Sequence, residues 1–201
     1  PMLWPETIRG LLIHSADWNE QMLSTPLNRM NGNQKRNLLR VFGYGIPDIM
    51  KAKHSLKNSL TLIAENRFQP FVKDKSSIKY NNYHLYELPW PKEVLSEIVF
   101  ENDAKVTVTL SYFIEPNPGT RMYSNTFSYQ SHGLNFRMIG KDETPDTFLK
   151  RISTETREEG ESGFAPEPWM LGPTTREKGS IQKDMIIMSG ADLATRNLIA
   201  I

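Results

Sequence analysis

The chain has 201 residues, of which 38% are hydrophobic, and its 24 Lys and Arg against 23 Asp and Glu leave a net charge of +1. A charge this close to zero provides no overall field that would attract nucleic acid or an anionic membrane. The chain contains no cysteine, which excludes disulfides and thiolate metal sites and is typical of a reducing compartment. No apolar run approaches the roughly 20 residues of a membrane-spanning helix, and no signal-peptide pattern occurs.

The first predicted element is a helix over residues 5–16. It begins at Pro5, since proline suits the first turn of a helix. Ile8, Leu11 and Leu12 follow at helical spacing and form a short apolar stripe. Ser15 continues the same side of the helix, so the amphipathic stripe is present but short.

Two further helices and a short strand are predicted before residue 71. The second helix covers 34–42, and Gly43 stands where a left-handed residue would end it. Its inward-facing residues are Leu38, Leu39 and Phe42. A third helix follows Asp48 and continues through Leu56, again with a proline at its start. Residues 59–64 (SLTLIA) predict a short strand.

Residues 105–114 have the most regular pattern in the chain and predict its central strand. Val106, Val108, Leu110, Tyr112 and Ile114 share one parity. Lys105, Thr107, Thr109 and Ser111 share the other. A period of two predicts a strand with one buried face and one face exposed to solvent. The Pro- and Gly-containing segment 115–119 then ends the strand.

The remaining pattern predicts an α+β protein with a boundary near residue 71. Extended or strand segments are predicted at 78–88, 122–139 and 180–188, and the second of these has a bulge or bend at Gly133. Short helices are predicted at 91–98 and 144–158. Residues 1–71 are mainly helical, whereas residues 72–201 alternate. We therefore expect a helical segment followed by a mainly antiparallel β-sandwich or jelly-roll-like domain.

Three residue types of a serine-hydrolase triad occur together at His14, Ser15 and Asp17. Near-consecutive residues of a helix point in different directions, whereas a triad needs two hydrogen bonds of about 2.6–3.2 Å. We therefore interpret these residues as a helix end with surface or capping roles. His132, beside Gly133, is similarly interpreted as a strand histidine, because neither an acid nor a nucleophile motif accompanies it.

No metal site or nucleotide loop is predicted. The four histidines, His14, His54, His84 and His132, contain no pair at the spacing of zinc ligands. Gly43 and Gly45 lack the third glycine and the preceding strand of a dinucleotide loop. The cations between Arg29 and Lys57 leave a nucleic-acid surface open as an alternative, with Tyr44 as a stacking residue, but charges of this kind are usually the solvated side of helices.

Two stretches resemble a known family. Residues 4–16 (WPETIRGLLIHSA) resemble the helix that follows the nucleophile helix of subtilisin-like serine proteases, where the pattern is P-E-x-I-R-A-L-L-x-x-S-A. Residues 43–48 (GYGIPD), with Ala52, are similar to the G-x-G-x-x-D-x-x-x-A segment that begins the last helix of that catalytic domain. Their order and separation match the family as well.

Downstream segments resemble the C-terminal β-domain of a bacterial, cytoplasmic branch of these proteases. They are residues 110–118 (LSYFIEPNP), 131–134 (SHGL) and 169–173 (WMLGP). The resemblance thus covers nearly the whole chain. It implies that residues 1–71 are the last helices of a catalytic domain and that residues 72–201 are an accessory domain.

The family's catalytic motifs have no counterpart here. Thr120 is followed by Arg121 rather than by the nucleophile serine, and His132-Gly133 is followed by Leu134. We therefore assign no catalytic, cofactor-binding or metal-binding residue. Because the chain starts at Pro1 and stops within an apolar run, we expect it to be the C-terminal fragment of such an endopeptidase, inert by itself.

The resemblance also implies partners. These are the rest of the parent protease domain, protein or peptide substrates contacting loops 115–121 and 158–168, and a second copy joined through exposed helices. The helices at 5–16 and 34–42 are expected to pack on the β-domain or on that second copy. No cofactor, nucleic acid or membrane is expected as a partner. The alternative is a non-enzymatic β-sandwich interaction module, with ancestry but no protease function.

Overall fold

A computed structural model describes residues 2–57, 61–74, 77–97, 104–114, 133–157, 168–177 and 179–201. In these residues the helices are α1 (Pro5–Ser15), α2 (Gly32–Phe42), α3 (Ile49–Lys57), α4 (Lys92–Glu97), α5 (Pro145–Arg157), α6 (Pro173–Arg176) and α7 (Gly190–Ala194). The strands are β1 (Phe71–Asp74), β2 (Ser77–Tyr80), β3 (Leu85–Glu87), β4 (Ala104–Ser111), β5 (Arg137–Met138), β6 (Ile181–Met188) and β7 (Leu198–Ala200). The fold is therefore α+β, as predicted.

The strands pair in small sheets. β1 pairs with β2, and β7 lies between β3 and β5, all antiparallel. β4 pairs with β6. The amide of Tyr112, just after β4, donates to the carbonyl of Ser180, just before β6, at 3.0 Å, so these two strands are also antiparallel.

The chain forms two compact units, each built from separated segments. Unit 1 contains Pro1–Ile63, Val106–Asn135 and Trp169–Ile186, and unit 2 contains Ala64–Lys105, Phe136–Pro168 and Ile187–Ile201. Both units thus combine residues from before and after residue 71. The domain division at that residue remains a prediction.

The helix ends follow local signals. α1 begins at Pro5, as predicted. α2 begins two positions before the predicted start, because Asn31 and Gln34 form a capping box in which each side chain accepts from the other's backbone amide. Gly43 ends α2 with a positive φ of 57°. The Asp48 carboxylate accepts from the amides of Met50 and Lys51 and so caps α3.

Several expectations need correction. Phe42 was expected to face inward, but it is 41% exposed: it is the last residue of α2, and burial on this face ends one turn earlier, at Leu38. Residues 61–64 of the predicted strand at 59–64 are not in a strand, while 58–60 lie outside the described residues. Residues 122–132 of the predicted strand at 122–139, and the loops at 115–121 and 158–167, also lie outside them.

The solvent-exposed face predicted for the central strand is likewise wrong for most of its length. Lys105 is exposed, but Thr107, Thr109 and Ser111 are half-buried. Within unit 1 the residues of this face contact α1, as described below. Val106, Val108 and Leu110 of the predicted buried face are half-buried as well, so burial does not distinguish the two faces of β4. The polar face is covered by a helix that offers polar partners.

Each unit has its own apolar core. The core of unit 1 comprises Leu27, Met30, Leu38, Leu171 and Met185. In unit 2, Phe148 and Ile152 of α5 pack against Ile139 and Ala200. Burial of each such side chain contributes roughly 1.5–3 kcal/mol. In the described part of the chain, no helix combines the length and apolar character needed to cross a bilayer.

Candidate functional site

The two helical segments that carry the family resemblance contact each other in unit 1. The hydroxyl of Ser15, at the end of α1, donates to the Leu12 carbonyl at 2.8 Å and accepts from the Asp48 amide at 3.2 Å. Asp17 and Ile46 exchange both backbone hydrogen bonds, at 3.1 and 2.9 Å. The start of α3 is therefore joined to the end of α1 by side-chain and backbone contacts.

Gly45 makes this junction possible. Its φ is +93°, a conformation that residues with a Cβ rarely adopt, and a Cβ there would lie 2.2 Å from the Asp17 carbonyl oxygen. The indole of Trp18 donates to the carbonyl of Gly43 at 3.0 Å and closes the same loop. The two glycines of the segment 43–48 therefore have different structural roles. Gly43 ends α2, and Gly45 allows the close approach of its backbone to Asp17.

Arg9 links α1 to the pair of strands β4 and β6. Its Nε donates to Ser111 Oγ at 3.0 Å, and its Nη2 donates to the carbonyls of Tyr112 and Ser180 at 2.8 and 2.6 Å. Its Nη1 donates to Ser180 Oγ at 3.2 Å, and the guanidinium carbon lies 4.7 Å from the centre of the Phe113 ring. Burial lowers the pKa of Arg9 from its ordinary value, although arginine keeps its charge throughout the accessible range.

Other residues of α1 face the same strand. His14 Nδ1 lies 3.0 Å from Thr109 Oγ1. A Cβ on Gly10 would meet Ser111 Cβ at 3.4 Å, so the helix lies close to the strand there. Arg9, Gly10 and His14 share one side of α1, and they account for the covered polar face of β4.

Lys183 on β6 is 1% exposed, and its ammonium group donates to the carbonyl of Ala16. That carbonyl stands at the C-terminal end of α1, where backbone acceptors lack helical partners and a cation is favoured by the dipole. The ammonium also lies 3.9 Å from a carboxylate oxygen of Asp17. Within unit 1, Lys183 therefore contacts the C-terminal end of α1, while Arg9, in the middle of α1, contacts the strands β4 and β6.

The next residue of β6, Asp184, is fully buried and organises a second set of contacts. Its carboxylate accepts from the amides of Leu171 and Gly172 at 2.8 and 2.9 Å, and from Arg176 Nη1 at 2.9 Å. Arg176 is also buried, with its guanidinium 4.9 Å from the Trp169 ring. A buried charge pair of this kind is stable only when further hydrogen bonds satisfy both partners.

Two tyrosine hydroxyls complete the network. Tyr112 donates to the Gly179 carbonyl at 3.0 Å and accepts from the Leu134 amide at 3.1 Å. Tyr44 donates to the Ile181 carbonyl at 3.4 Å. Burial raises the pKa of both hydroxyls. Tyr44 is therefore held against β6, which removes it as the stacking residue of a nucleic-acid surface.

The structure separates the residues that resembled a triad. Ser15 is buried and gives its hydroxyl hydrogen to Leu12, so it is not hydrogen-bonded to His14 as a nucleophile would be. His14 lies against Thr109, and Asp17 forms an exposed ion pair with Lys51. These residues form the end of α1, as interpreted, but His14 contacts β4 and is neither a surface residue nor a cap.

The other histidines are dispersed. His84 stacks on Phe68 with ring centres 4.0 Å apart and contacts the Asn66 amide through Nδ1 at 2.8 Å. His54 is exposed on α3, and His132 lies outside the described residues. Among the residues that the structure describes, no three His, Asp or Glu side chains gather in a way that would hold a metal ion.

Comparison with protein-family models, curated proteins and solved structures finds no match to the chain.

Sequence reasoning missed the residues that dominate this network: Arg9, Arg176, Lys183 and Asp184, together with Gln182, whose amide donates to the Leu134 carbonyl at 2.6 Å. One signal was present. Gln182, Lys183 and Asp184 are three consecutive polar residues in a segment that otherwise predicts a strand. Because successive strand residues face opposite sides, such a run indicates polar partners on both faces.

Proposed function

We propose that this chain is the C-terminal portion of a subtilisin-like serine endopeptidase and that it does not itself hydrolyse peptide bonds. The observation that supports the proposal is the junction of Ser15 with Asp48 and of Asp17 with Ile46. It brings together the two segments, 4–16 and 43–52, whose sequences resemble two helices of that catalytic domain. Segments retained for a common structural role are expected to pack together in this way.

The role that we assign to the chain is to hold α1 in place. In the parent enzyme, acyl transfer would require a serine nucleophile, a histidine base, an orienting aspartate and an oxyanion hole, all supplied by residues that precede this chain. Arg9 and Lys183 attach α1 to β4 and β6 through buried and half-buried hydrogen bonds. The strands would therefore stabilise the helix that follows the nucleophile helix.

We also propose a fold for residues 72–201, a cellular location and partners. The alternating pattern of residues 72–201 supports a β-sandwich or jelly-roll-like accessory domain. The absence of cysteine supports a cytoplasmic location. The partners are the remainder of the protease domain and its protein or peptide substrates.

The test is to determine the coding sequence upstream of Pro1 and to express the chain with and without it. The longer polypeptide should contain Asp, His-Gly-Thr and Gly-Thr-Ser motifs in that order, react with a fluorophosphonate probe and cleave labelled casein. The 201-residue chain should do neither. A reading frame that lacks these motifs, or a longer polypeptide that does not react, would overturn the proposal.

An interaction module is the second candidate, and apolar side chains exposed in unit 1 favour it. Ile8 and Leu12 of α1 remain 51% and 40% exposed, and Ile49 and Met50 of α3 are also exposed. Polar contacts with β4 and β6 thus cover one side of α1 without burying these residues. Light scattering coupled to gel filtration checks whether a second copy covers them: a dimer that dissociates on Ile8→Ser/Ile49→Ser substitution would support this candidate, and a monomer at high concentration would count against it.

A further inference from the structure

The exposed side of α2 carries a repeated pattern of amide and guanidinium groups. Arg36 and Arg40 each come three residues after an asparagine, Asn33 and Asn37, and the two Asn-Arg pairs are four residues apart. All four side chains are exposed. These positions form one face of a helix, about 10 Å long, opposite the buried Leu38. We refer to these four residues as the Asn-Arg stripe.

The surroundings of the stripe leave its charge uncompensated. Between Glu20 and Glu65 the sequence has seven Lys and Arg but only one acid, Asp48, whose carboxylate caps α3. Arg36 reaches only Asn33 and the Gly32 carbonyl, and the Arg40 side chain has no hydrogen bond or ion pair with a described residue. The stripe therefore offers guanidinium donors that no described carboxylate occupies.

An apolar side chain adjoins the stripe at its C-terminal end. Val41, one turn after Asn37, is 70% exposed. A phosphate backbone would gain little from this side chain, whereas an apolar residue of a peptide would pack on it. Tyr44, the residue predicted to stack on a base, is held against Ile181, and Phe42 lies on the side of α2 opposite the stripe. Together with a net charge of +1, these features favour a peptide over a nucleic acid.

We propose that the Asn-Arg stripe, with Val41, is a docking surface for an acidic peptide segment that also carries apolar residues. Arg36 and Arg40 lie one helical turn apart, roughly 6 Å. Carboxylates are about this far apart when they are four residues apart on a helix or two residues apart on a strand. Each guanidinium binds a carboxylate through two parallel hydrogen bonds, and the Asn side chains donate to the peptide backbone.

The test uses the 201-residue chain and a fluorescein-labelled peptide of alternating Glu and Leu, followed by fluorescence polarisation at low ionic strength. Binding should weaken roughly tenfold in Arg36→Gln/Arg40→Gln and should fall at high salt. The matched control, Lys53→Gln/Lys73→Gln, removes the same charge elsewhere and should change affinity by less than about twofold. Val41→Ser should also weaken binding.

Three results would overturn the proposal. The first is equal affinity for the Glu peptide and for a peptide with Gln in place of Glu. The second is equal weakening in the stripe variant and the control, which would indicate binding by net charge alone. The third is tighter, Arg36- and Arg40-dependent binding of a duplex oligonucleotide, which would assign the stripe to nucleic acid. Circular dichroism of each variant confirms that α2 and the rest of the fold are retained.

Discussion

The ammonium group of Lys183 donates to the carbonyl oxygen of Ala16, a residue 167 positions earlier in the chain. Lys183 is almost fully buried, and Ala16 ends the helix α1. A cation at the C-terminal end of a helix satisfies a backbone acceptor that has no helical partner. This contact, with those of Arg9, attaches α1 to β6.

Replacing Lys183 with Met should destabilise the chain by about 1–3 kcal/mol, because the Ala16 carbonyl loses its charged donor while the side-chain volume is kept. Lys51→Met is the matched control, since Lys51 pairs with Asp17 at the surface and should cost less than about 1 kcal/mol. Urea unfolding followed by tryptophan fluorescence measures both. If Lys183→Met lowered the free energy of unfolding by less than Lys51→Met, Lys183 would not stabilise the attachment of α1 to β6.

Arg9→Lys should also destabilise unit 1, although the charge is retained. The planar guanidinium reaches Ser111, Tyr112 and Ser180 at once, and a single ammonium group cannot. We expect a loss of about 1–2 kcal/mol in urea unfolding. Arg40→Lys, on an exposed position of α2, should be nearly neutral. In the longer polypeptide, the same Arg9 variant should lower thermal stability of protease activity; unchanged inactivation would argue against the proposed function.

Asp184→Asn should be the most damaging of the polar substitutions. It leaves the buried Arg176 without its counter-charge, and breaking a buried pair in this way costs about 3–5 kcal/mol. The double variant Arg176→Met/Asp184→Asn should be less destabilised than Asp184→Asn, because the uncompensated charge is gone. Equal stability of the single and double variants in thermal unfolding would show that the amides of Leu171 and Gly172, rather than Arg176, dominate.

Gly45→Ala should destabilise the junction of α1 and α3 by more than about 2 kcal/mol. The new Cβ would overlap the backbone of Asp17, and the positive φ is itself unfavourable for alanine. Gly32→Ala is the control, since nothing lies within 4 Å of a Cβ there and the residue is helical. We expect Gly32→Ala to be neutral or slightly stabilising. Similar losses for both variants would contradict the close approach at Gly45.

Glu143 should make stability depend on pH in unit 2. Burial raises its pKa, but the hydrogen bonds from Arg151 and from the Gly140 amide outweigh burial, so the net pKa lies below the ordinary 4.5. A carboxylate with a lowered folded-state pKa stabilises the fold above its unfolded pKa and loses that contribution as pH falls through the folded pKa.

The measurement for Glu143 is the free energy of unfolding of the original chain and of Glu143→Gln from pH 7 downwards. The two should differ by about 1 kcal/mol near neutrality, and the difference should shrink once the pH drops below 4.5. Asp146→Asn, whose carboxylate lies in the exposed first turn of α5, provides the comparison. A difference that is constant with pH would rule out the ionised pair with Arg151 as its source.

Local signals in the amino-acid sequence were sufficient to predict most of the helices and the principal strands. Pro5 begins α1, Gly43 ends α2 with a positive φ, and the alternation of residues 105–114 indicates a strand. Each of these signals depends only on residues that are close in the sequence. Asn31 and Gln34 also formed a local signal, and reading it would have placed the start of α2 correctly. The α+β class follows from the same short-range periods.

The candidate site could not be predicted in the same way, because its contacts join residues that are remote in the chain. Arg9 and Ser180 are 171 positions apart, and neither hydrophobic period nor spacing indicates which acceptor a polar side chain reaches. The threonines and serine of β4 had the pattern of a solvent-exposed face, but α1 covers them with polar side chains of its own. Which segments are helices and strands thus follows from the amino-acid sequence. Which polar groups are buried together depends on the tertiary structure, because a buried polar group needs partners that the rest of the fold supplies.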